Sequence, residues 1–480
     1  MIMKRICIIL TMIMVASWMM AQEKMMEPRG HIENLTIYHN WGTPTTQRRV
    51  GSLATAPLPS IGSPKIPVIL VQFIDRPFSV GETEEAVNEI YNQLFNAGED
   101  IQPYSSYHSV REYFRGQSEN LFTPEFDIIG PVTLEKSYAY YGEDHGVNHD
   151  IHILDLYREA CQQAFQRNVD WNLYDNNQNG TVDFVFFIYA GHGQNQKNTE
   201  KGNIWPKESL TTEVIYGDDF SVTFSAYGCT NELYKNKLDG IGSCIHELSH
   251  GLGLPDFYDT NYEAYGMDYW DVMDSGCYQL EGDMPIGLSA YELDFLNWRK
   301  LVELTPDSAY SLTLFPIELG NVAYKVVNKA NPNEYFILEN RQNIGWDQYM
   351  GCISTSQYDK YGANHGLMIT HVDFNQAVWN ANNVNTRTNH QRMTIVPADG
   401  ELISAVKRTD SVWEISTHGD LYPSEKGVTE MSSYAVFTGE GLGQTITNIV
   451  EHEDGRITLD INGGKEKPEE TSEPDIPEIA

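Results

Sequence analysis

The stretch that most restricts how this chain can fold is HELSHGLGLPD, from His246 to Asp256. Two histidines four residues apart, with a glutamate directly after the first, form the pattern H-E-x-x-H. On an α-helix, residues four positions apart lie on the same face, so both imidazoles point in one direction. The other face is expected to pack into a core through an apolar stripe made of Ile241, Ile245, Leu248 and Leu252.

The flanking residues predict where this helix begins and ends. Asp239 precedes the apolar stripe and is expected to cap the helix start with its carboxylate. Gly251 and Gly253 follow the second histidine and are expected to end the helix.

The residues after the helix complete a predicted metal site. Gly253 allows a sharp backbone turn, and Asp256 follows at the position where a third ligand is needed. Three protein ligands leave a fourth tetrahedral position for water, which is typical of a catalytic zinc site. We therefore predict zinc at His246, His250 and Asp256. Glu247 is the predicted general base, which takes a proton from metal-activated water as it attacks a peptide carbonyl.

The chain has 480 residues, which suits two or three domains. At its start, Lys4 and Arg5 precede an apolar run that ends near Ala21, as in a secretory signal peptide over residues 1–21. This run is short for a bilayer span, so we expect cleavage and no membrane insertion. Residues 22–63 are polar and are interpreted as a leader or short pro-segment. The protein is then expected outside the cytoplasm, secreted or periplasmic.

The charge balance narrows the choice of partners. With 32 basic and 67 acidic residues the formal net charge is −35, which argues against nucleic acid and anionic membranes as partners. Five cysteines remain after the signal peptide, an odd number whose spacing does not form a disulfide framework. The acidic balance suits an extracellular protein and is compatible with calcium binding.

Residues 64–300 have the mixed pattern of an α/β (α+β) domain. Lys65–Phe73 is a continuous apolar run that predicts a buried strand, and residues 182–189 predict a central one. Residues 285–298, which follow the metal-site motif, predict a helix that closes the domain.

A second metal site is suggested by the segment YDNNQNGTVD. Asp175, Asn177, Asn179 and Asp183 occupy positions that resemble the first nine of an EF-hand calcium loop. The twelfth position is Phe186 instead of glutamate, so the segment is not a true EF-hand. Two interpretations stay open, a calcium site at these four side chains and a simple Asn/Gly turn.

From residue 301 onward the pattern becomes that of β-structure. Seven short runs rich in β-forming residues, from YSLTLFPI to RITLDI, are separated by Gly, Asn and Asp clusters. This predicts an all-β sandwich-like domain over residues 301–463. Residues 464–480 carry Pro, Glu and Lys without apolar periodicity, which predicts a disordered acidic tail.

Across roughly residues 65–460 the chain resembles the immune inhibitor A family of secreted zinc metallopeptidases. HELSHGLGLPDFYD, VDFVFFIYAGHG, SVREYF, WDVMDSG and EYFILENRQNIGWD carry the resemblance. It implies a metzincin-like catalytic domain followed by a β-sandwich, and proteolysis of extracellular proteins. It also implies zinc ligands at His246, His250 and Asp256, catalysis by Glu247, and a methionine turn at Met273. Tyr265 and Tyr278 are both candidates for a tyrosine that stabilises the transition state.

Two other functions compete with this one. A cysteine peptidase would use His192, at the end of an apolar strand, with Cys229 as nucleophile. A non-catalytic extracellular binding protein would use its β-rich domain for binding and hold only a structural metal. Structural zinc sites normally have four protein ligands, and the motif supplies three, so an endopeptidase is favoured.

Overall fold

The structure is a computed structural model that describes residues 51–465, apart from 99–107, 147, 168, 197–201, 219, 262, 403–416 and 432–434. The predicted signal peptide, residues 22–50 of the predicted leader and residues 466–480 of the predicted tail lie outside the described residues. The described part is a mixed α/β structure with several sheets. None of its helices has the length and apolar character needed to cross a bilayer.

A six-stranded sheet forms the centre of the first half of the chain. Its strands are β1 (Lys65–Phe73), β2 (Glu125–Leu134), β3 (Val185–His192), β4 (Lys207–Leu210), β7 (Ala226–Tyr234) and β8 (Lys237–Leu238). The order is β2-β1-β3-β7-β4, with β8 paired to β7, and β1, β2, β3 and β7 run parallel. A separate hairpin pairs β5 (Val214–Tyr216) with β6 (Ser221–Thr223). Strand β1 has the predicted bounds, and the predicted central strand is β3, shifted by three residues.

Both faces of this sheet are buried, because alternate residues of each strand point to opposite sides. Val68 and Leu70 of β1 belong to one core, and Ile69 and Val71 belong to the other. Helices α1 (Glu84–Asn96) and α2 (Val110–Gln117) pack on the first core, and α3 (Tyr138–Tyr141) and α4 (Ile153–Phe165) pack on the second.

The predicted metal-site helix is α5 (Gly242–Gly251). Its predicted apolar stripe is confirmed, since the four residues are at most 1% exposed and lie in the first core. The predicted cap is wrong. The carboxylate of Asp239 instead accepts hydrogen bonds from the Gly240 amide (2.9 Å) and the Asn231 side chain (2.8 Å), and Ile241 precedes the helix without a side-chain cap. The next helix, α6 (Ala290–Phe295), is shorter than predicted.

The second half of the chain contains two sheets and two short helices. The strands are β9 (Val302–Glu303), β10 (Tyr310–Leu314), β11 (Tyr324–Asn328), β12 (Asn331–Arg341), β13 (Gly366–Asp373), β14 (Met393–Ile395), β15 (Ile446–Glu451) and β16 (Ile457–Ile461). They form a five-stranded sheet, β14-β13-β12-β11-β9, and a three-stranded sheet, β10-β16-β15. The seven predicted strand segments each contain a strand. Helices α7 (Thr355–Tyr361) and α8 (Gln376–Asn380) were not predicted.

Single turns of 3₁₀-helix complete the secondary structure. They lie at Leu53–Thr55, Trp171–Tyr174, Asp268–Trp270, Ser275–Gly282, Ile317–Leu319, Gly345–Asp347 and Thr417–Gly419, the fourth of these containing a kink.

Both faces of the five-stranded sheet are covered by other parts of the protein. Phe336 and Leu338 of β12 share a core with the three-stranded sheet, whereas Tyr335 and Ile337 share a core with α5 and α6. The fully buried Arg341 strengthens this junction, because its guanidinium donates to the Gly287 carbonyl (3.0 Å) as well as to an aspartate. The β-rich half is therefore joined to the first half through a continuous core.

Residues 51–58, the amino-terminal strap, pack against the end of α5. The Gly51 amide donates to the Gly253 carbonyl (2.6 Å), and the Leu58 amide donates to the Gly251 carbonyl (2.9 Å). The Leu58 side chain is 3% exposed and lies in the same core as α5. The last part of the predicted leader thus belongs to the folded body of the protein.

Candidate metal centre

The structure brings the three predicted ligands together. Nε2 of His246 lies 3.2 Å from Oδ1 of Asp256, and Nε2 of His250 lies 3.0 Å from the same oxygen. All three residues are at most 1% exposed, and their ligand atoms lie within 4.8 Å of one another. In the part of the chain that is described, no other group of three His, Cys, Asp or Glu side chains brings potential ligand atoms so close.

The backbone after α5 returns Asp256 toward the histidines. Gly253 has φ +97°, a left-handed conformation that glycine adopts without the strain of a side chain. Its amide donates to the His250 carbonyl at 2.9 Å, which closes the turn. A Cβ atom at this position would lie 3.2 Å from the Cβ of Ala56 in the strap. Both the turn and the strap therefore favour glycine here.

Hydrogen bonds behind the imidazoles fix their orientation. Nδ1 of His246 lies 2.9 Å from the Val272 carbonyl, and Nδ1 of His250 lies 2.8 Å from the Leu254 carbonyl. A carbonyl oxygen can only accept, so each Nδ1 carries the hydrogen and each Nε2 faces Asp256. Metal-binding histidines usually have such a carbonyl partner on the other ring nitrogen.

The electrostatics of the three side chains favour a positive charge between them. Burial opposes protonation of His246, but hydrogen bonds with Asp256 and Cys277 raise its pKa well above the usual range. Two imidazole nitrogens and one carboxylate oxygen are also a common ligand set for zinc. The donor set therefore fits a zinc ion.

Glu247, the predicted catalytic residue, is fully buried beside His246 on α5. Burial, followed by the charge of the neighbouring Cys277, raises the pKa of the Tyr278 hydroxyl well above its usual range. That hydroxyl accepts a hydrogen bond from Asn195 at 3.4 Å. Tyr265, the other candidate tyrosine, instead donates to Asp420 at 3.5 Å. The Tyr265 hydroxyl is therefore engaged by Asp420, whereas Tyr278 follows Cys277, which contributes to the raised pKa of His246.

Met273 lies in a buried turn next to these residues. Val272, directly before it, provides the carbonyl that binds His246. The Met273 carbonyl accepts from the Phe257 amide at 2.9 Å, one residue after Asp256. This turn therefore contacts both the helix and the segment that carries the third predicted ligand.

Two residues of this centre were missed by the sequence analysis. The Cys277 thiol hydrogen-bonds with His246, and burial raises the pKa of this thiol. Asn382 contacts Asp256 from the β-rich half of the chain. The position of Cys277 shortly after Met273 was an available signal, whereas nothing in the sequence around Asn382 relates it to a metal site.

The predicted calcium ligands lie in a loop between Trp171–Tyr174 and β3, here called the Asp175 loop. The two carboxylate oxygens of Asp175 accept from the amides of Asn179 (2.9 Å) and Gly180 (2.8 Å). Oδ1 of Asp183 accepts from the Asn177 side chain at 2.7 Å. The Asn179 side-chain oxygen accepts from the Thr181 amide at 2.9 Å. Four oxygens of the predicted ligands thus accept hydrogen bonds within the loop, and a carboxylate oxygen with one such bond retains a second lone pair for another partner.

The alternative cysteine-peptidase pair is separated. His192 is aligned with Leu233 in the β3–β7 pairing, four residues beyond Cys229, a separation of roughly 13 Å along the strand. Burial raises the pKa of the Cys229 thiol to about 12, and Nε2 of His192 lies 2.6 Å from the Lys235 carbonyl. The five cysteines of the described part are free thiols, all buried.

Comparison with known proteins places this centre in a characterised family. A family model described as "Immune inhibitor A peptidase M6, catalytic domain" matches residues 59–301. A pre-pro-metalloprotease PrtV of Vibrio cholerae serotype O1 is 28% identical over 274 residues, which is 48% of this chain and 29% of that protein. Immune inhibitor A of Bacillus thuringiensis subsp. alesti is 26% identical over 292 residues, 50% of this chain and 41% of that protein. The match thus spans less than half the length of these relatives.

Proposed function

Because this chain belongs to the immune inhibitor A peptidase M6 family, we propose that it is a zinc-dependent endopeptidase that hydrolyses peptide bonds of extracellular proteins. The observation that carries the proposal is the convergence of His246, His250 and Asp256 on one buried point beside Glu247. The names of the relatives, a metalloprotease and an immune inhibitor, agree with this activity.

His246, His250 and Asp256 would hold the zinc ion. When bound, the ion supplies Lewis acidity, which polarises a peptide carbonyl and makes water a stronger acid. Glu247 is the proposed general base and general acid, which accepts the proton of the attacking water and passes it to the leaving amine. The carbonyls of Val272 and Leu254 hold the imidazoles in the required tautomer throughout.

Tyr278 is the proposed hydrogen-bond donor to the reacting carbonyl oxygen. Its pKa, raised by burial, keeps the hydroxyl protonated at neutral pH, as a donor must be. The hydrogen bond from Tyr265 to Asp420 supports Tyr278 for this role, because the Tyr265 hydroxyl is already engaged.

The finer architecture is part of the same proposal. A metzincin-like catalytic domain over residues 64–300, with Met273 in the methionine turn, is supported by the contacts of that turn with the histidine helix. A sandwich-like domain over residues 301–463 is supported by the core that its two sheets share.

We further propose that the protein acts after secretion, outside the cell or in the periplasm. The apolar run before Ala21 and the net charge of −35 support this location. Proteins or peptides are the proposed substrates, and nucleic acid is not an expected partner. Calcium binding by Asp175, Asn177, Asn179 and Asp183 also stays a prediction, which competes with the hydrogen bonds inside that loop.

The substitution Glu247→Ala tests the proposed function. We expect peptide hydrolysis to fall by about 100- to 10,000-fold, because the proton-transfer group is lost. Zinc content should stay at the parent level, because the three ligands remain. Hydrolysis of a quenched fluorescent protein substrate and zinc analysis by atomic absorption measure the two effects.

Glu125→Ala, on β2 away from the centre, is the matched control and should leave both quantities unchanged. Full hydrolysis by Glu247→Ala would contradict the proposal, and a parent without any peptidase activity would favour the binding protein with a structural metal. Inhibition of the parent by a thiol alkylator but not by a zinc chelator would instead favour a cysteine peptidase.

A further inference from the structure

We propose that Asn382, which lies outside the matched peptidase domain, is a positioning residue of the zinc centre. The Asn382 side chain binds Asp256 twice: its Oδ1 accepts from the Asp256 amide at 2.7 Å, and its Nδ2 donates to Asp256 Oδ2 at 2.5 Å. The inference rests on the proposed function, because it concerns how the third zinc ligand is held.

This double contact decides which oxygen of Asp256 faces the histidines. With Oδ2 held by Asn382, the other oxygen, Oδ1, is directed to the two imidazole Nε2 atoms at 3.2 and 3.0 Å. The bond to the Asp256 amide fixes the backbone of the same residue, so the carboxylate cannot rotate independently of it. Hydrogen-bonding partners of this kind orient metal ligands and tune their affinity.

Asn382 is itself held rigidly. It is 8% exposed and has φ +53°, a left-handed conformation that asparagine tolerates better than most residues. Just before it, helix α8 starts with a cap in which the Asn375 side chain accepts from two backbone amides. Just after it, the buried Asn385 donates to the Phe257 carbonyl (2.6 Å) and the Met393 carbonyl (2.7 Å).

The same segment is also linked to the end of the histidine helix through the strap. Gln376 of α8 donates to the Gly51 carbonyl of the strap at 2.6 Å. The strap in turn binds the Gly253 carbonyl at the end of the histidine helix. Residues 376–385 therefore complete the support of the third ligand from a part of the chain that follows the matched residues 59–301.

The test compares Asn382→Gly with Asn383→Gly in the full chain. Glycine removes the Asn382 side chain without strain at φ +53°, and Asn383, an exposed neighbour on the same loop, controls for added backbone flexibility. We expect the zinc dissociation constant, measured by competition with a chromogenic chelator, to rise about 10- to 100-fold for Asn382→Gly. The Asn383→Gly variant should bind zinc as the parent does.

Two further measurements separate positioning from simple destabilisation. The visible absorption of the cobalt-substituted protein should change only for Asn382→Gly, because this band reports ligand geometry. In an Asp256→Ala background, Asn382→Gly should no longer change the zinc affinity, because the residue acts through Asp256. If Asn382→Gly does not fold, Asn382→Ala, which also lacks both hydrogen-bonding groups of the asparagine side chain, is judged by the same criteria.

An unchanged zinc affinity and cobalt spectrum, or equal changes in both glycine variants, would overturn the positioning role. Peptide hydrolysis by the parent is measured in parallel to distinguish the two claims. A parent that hydrolyses peptides while Asn382→Gly binds zinc normally contradicts only the role of Asn382. If Asn382→Gly binds zinc more weakly than the parent but the parent never hydrolyses peptides, only the proposed function is contradicted.

Discussion

The metal centre and the Asp175 loop are both predicted metal sites, yet their hydrogen bonds are arranged in opposite ways. At the metal centre, backbone carbonyls hold the outer Nδ1 atoms of His246 and His250, and Asn382 holds the outer oxygen of Asp256. At the Asp175 loop, amides and a side-chain amide group contact the carboxylate oxygens of Asp175 and Asp183 themselves. At the metal centre, the hydrogen bonds direct two imidazole nitrogens and one carboxylate oxygen to one point. In the Asp175 loop, the hydrogen bonds close a turn.

The comparison separates the number of potential ligands from the placement of the hydrogen bonds around them. Both segments contain enough oxygen or nitrogen atoms at suitable spacings. What distinguishes them is whether hydrogen bonds contact the back of the ligand side chains, as at the two histidines, or the ligand oxygens themselves, as in the loop.

The largest expected effect is that of Asp256→Ala on zinc binding. Removing the third ligand, together with the negative charge, should weaken zinc binding by more than about 100-fold, beyond the range typical of outer hydrogen-bonding partners. Chelator competition measures it, with Asp175→Ala as the control from the other region. Equal zinc affinity in the parent and in Asp256→Ala would show that another residue, such as Asp259, is the third ligand.

A smaller effect is expected on the unfolding free energy, which should change with pH as Asp183 loses its proton. Burial raises the pKa of Asp183 to about 6 in the folded chain, from an ordinary value of 3.8. The folded state therefore binds more protons between these values, and this contribution to stability is lost as the pH rises through 6. Relative to Asp183→Asn, the parent should lose about 2 kcal/mol of unfolding free energy between pH 4 and pH 7.

Urea denaturation of both proteins at several pH values measures this difference. A calcium ion bound to Asp183 would lower its pKa in the folded state and give the opposite slope. The sign of the slope, with and without calcium, therefore decides between the two interpretations of this loop.

The smallest effect is expected for Asp175→Ala. The change removes the acceptors of the Asn179 and Gly180 amides, both at the surface, and should reduce the unfolding free energy by about 1 kcal/mol. Zinc content should not change. A melting temperature of the parent that is the same with and without added calcium would favour the simple turn. A calcium-dependent rise in melting temperature for the parent, absent from Asp175→Ala, would show that the loop binds calcium.

Local patterns in the sequence were sufficient for much of this fold. The spacing of His246 and His250 and the apolar stripe behind them depend only on helix periodicity, and β1 was delimited by a continuous apolar run. The cap at Asp239 was wrong because Asn231, from the neighbouring strand β7, binds its carboxylate. Such a competing partner is set by tertiary structure and leaves no trace in the local pattern.

The contribution of Asn382 was beyond prediction for a related reason. It lies 126 residues from Asp256, and no spacing rule connects two such positions. Helices α7 and α8 were likewise hidden within a region whose composition indicates strands. Only the packing of the five-stranded sheet onto the first core brings this loop to the metal centre.

The amino-terminal strap binds the end of the histidine helix through Gly51 and Leu58. This contact limits how far the amino terminus can be trimmed during maturation. A protease that trimmed the chain beyond Leu58 would remove the amides bound to the Gly251 and Gly253 carbonyls, and would uncover the core beneath Leu58. Any trimming compatible with an intact centre must therefore stop upstream of Gly51. An amino terminus produced there would stay tethered to the end of the histidine helix through the bond between Gly51 and Gly253.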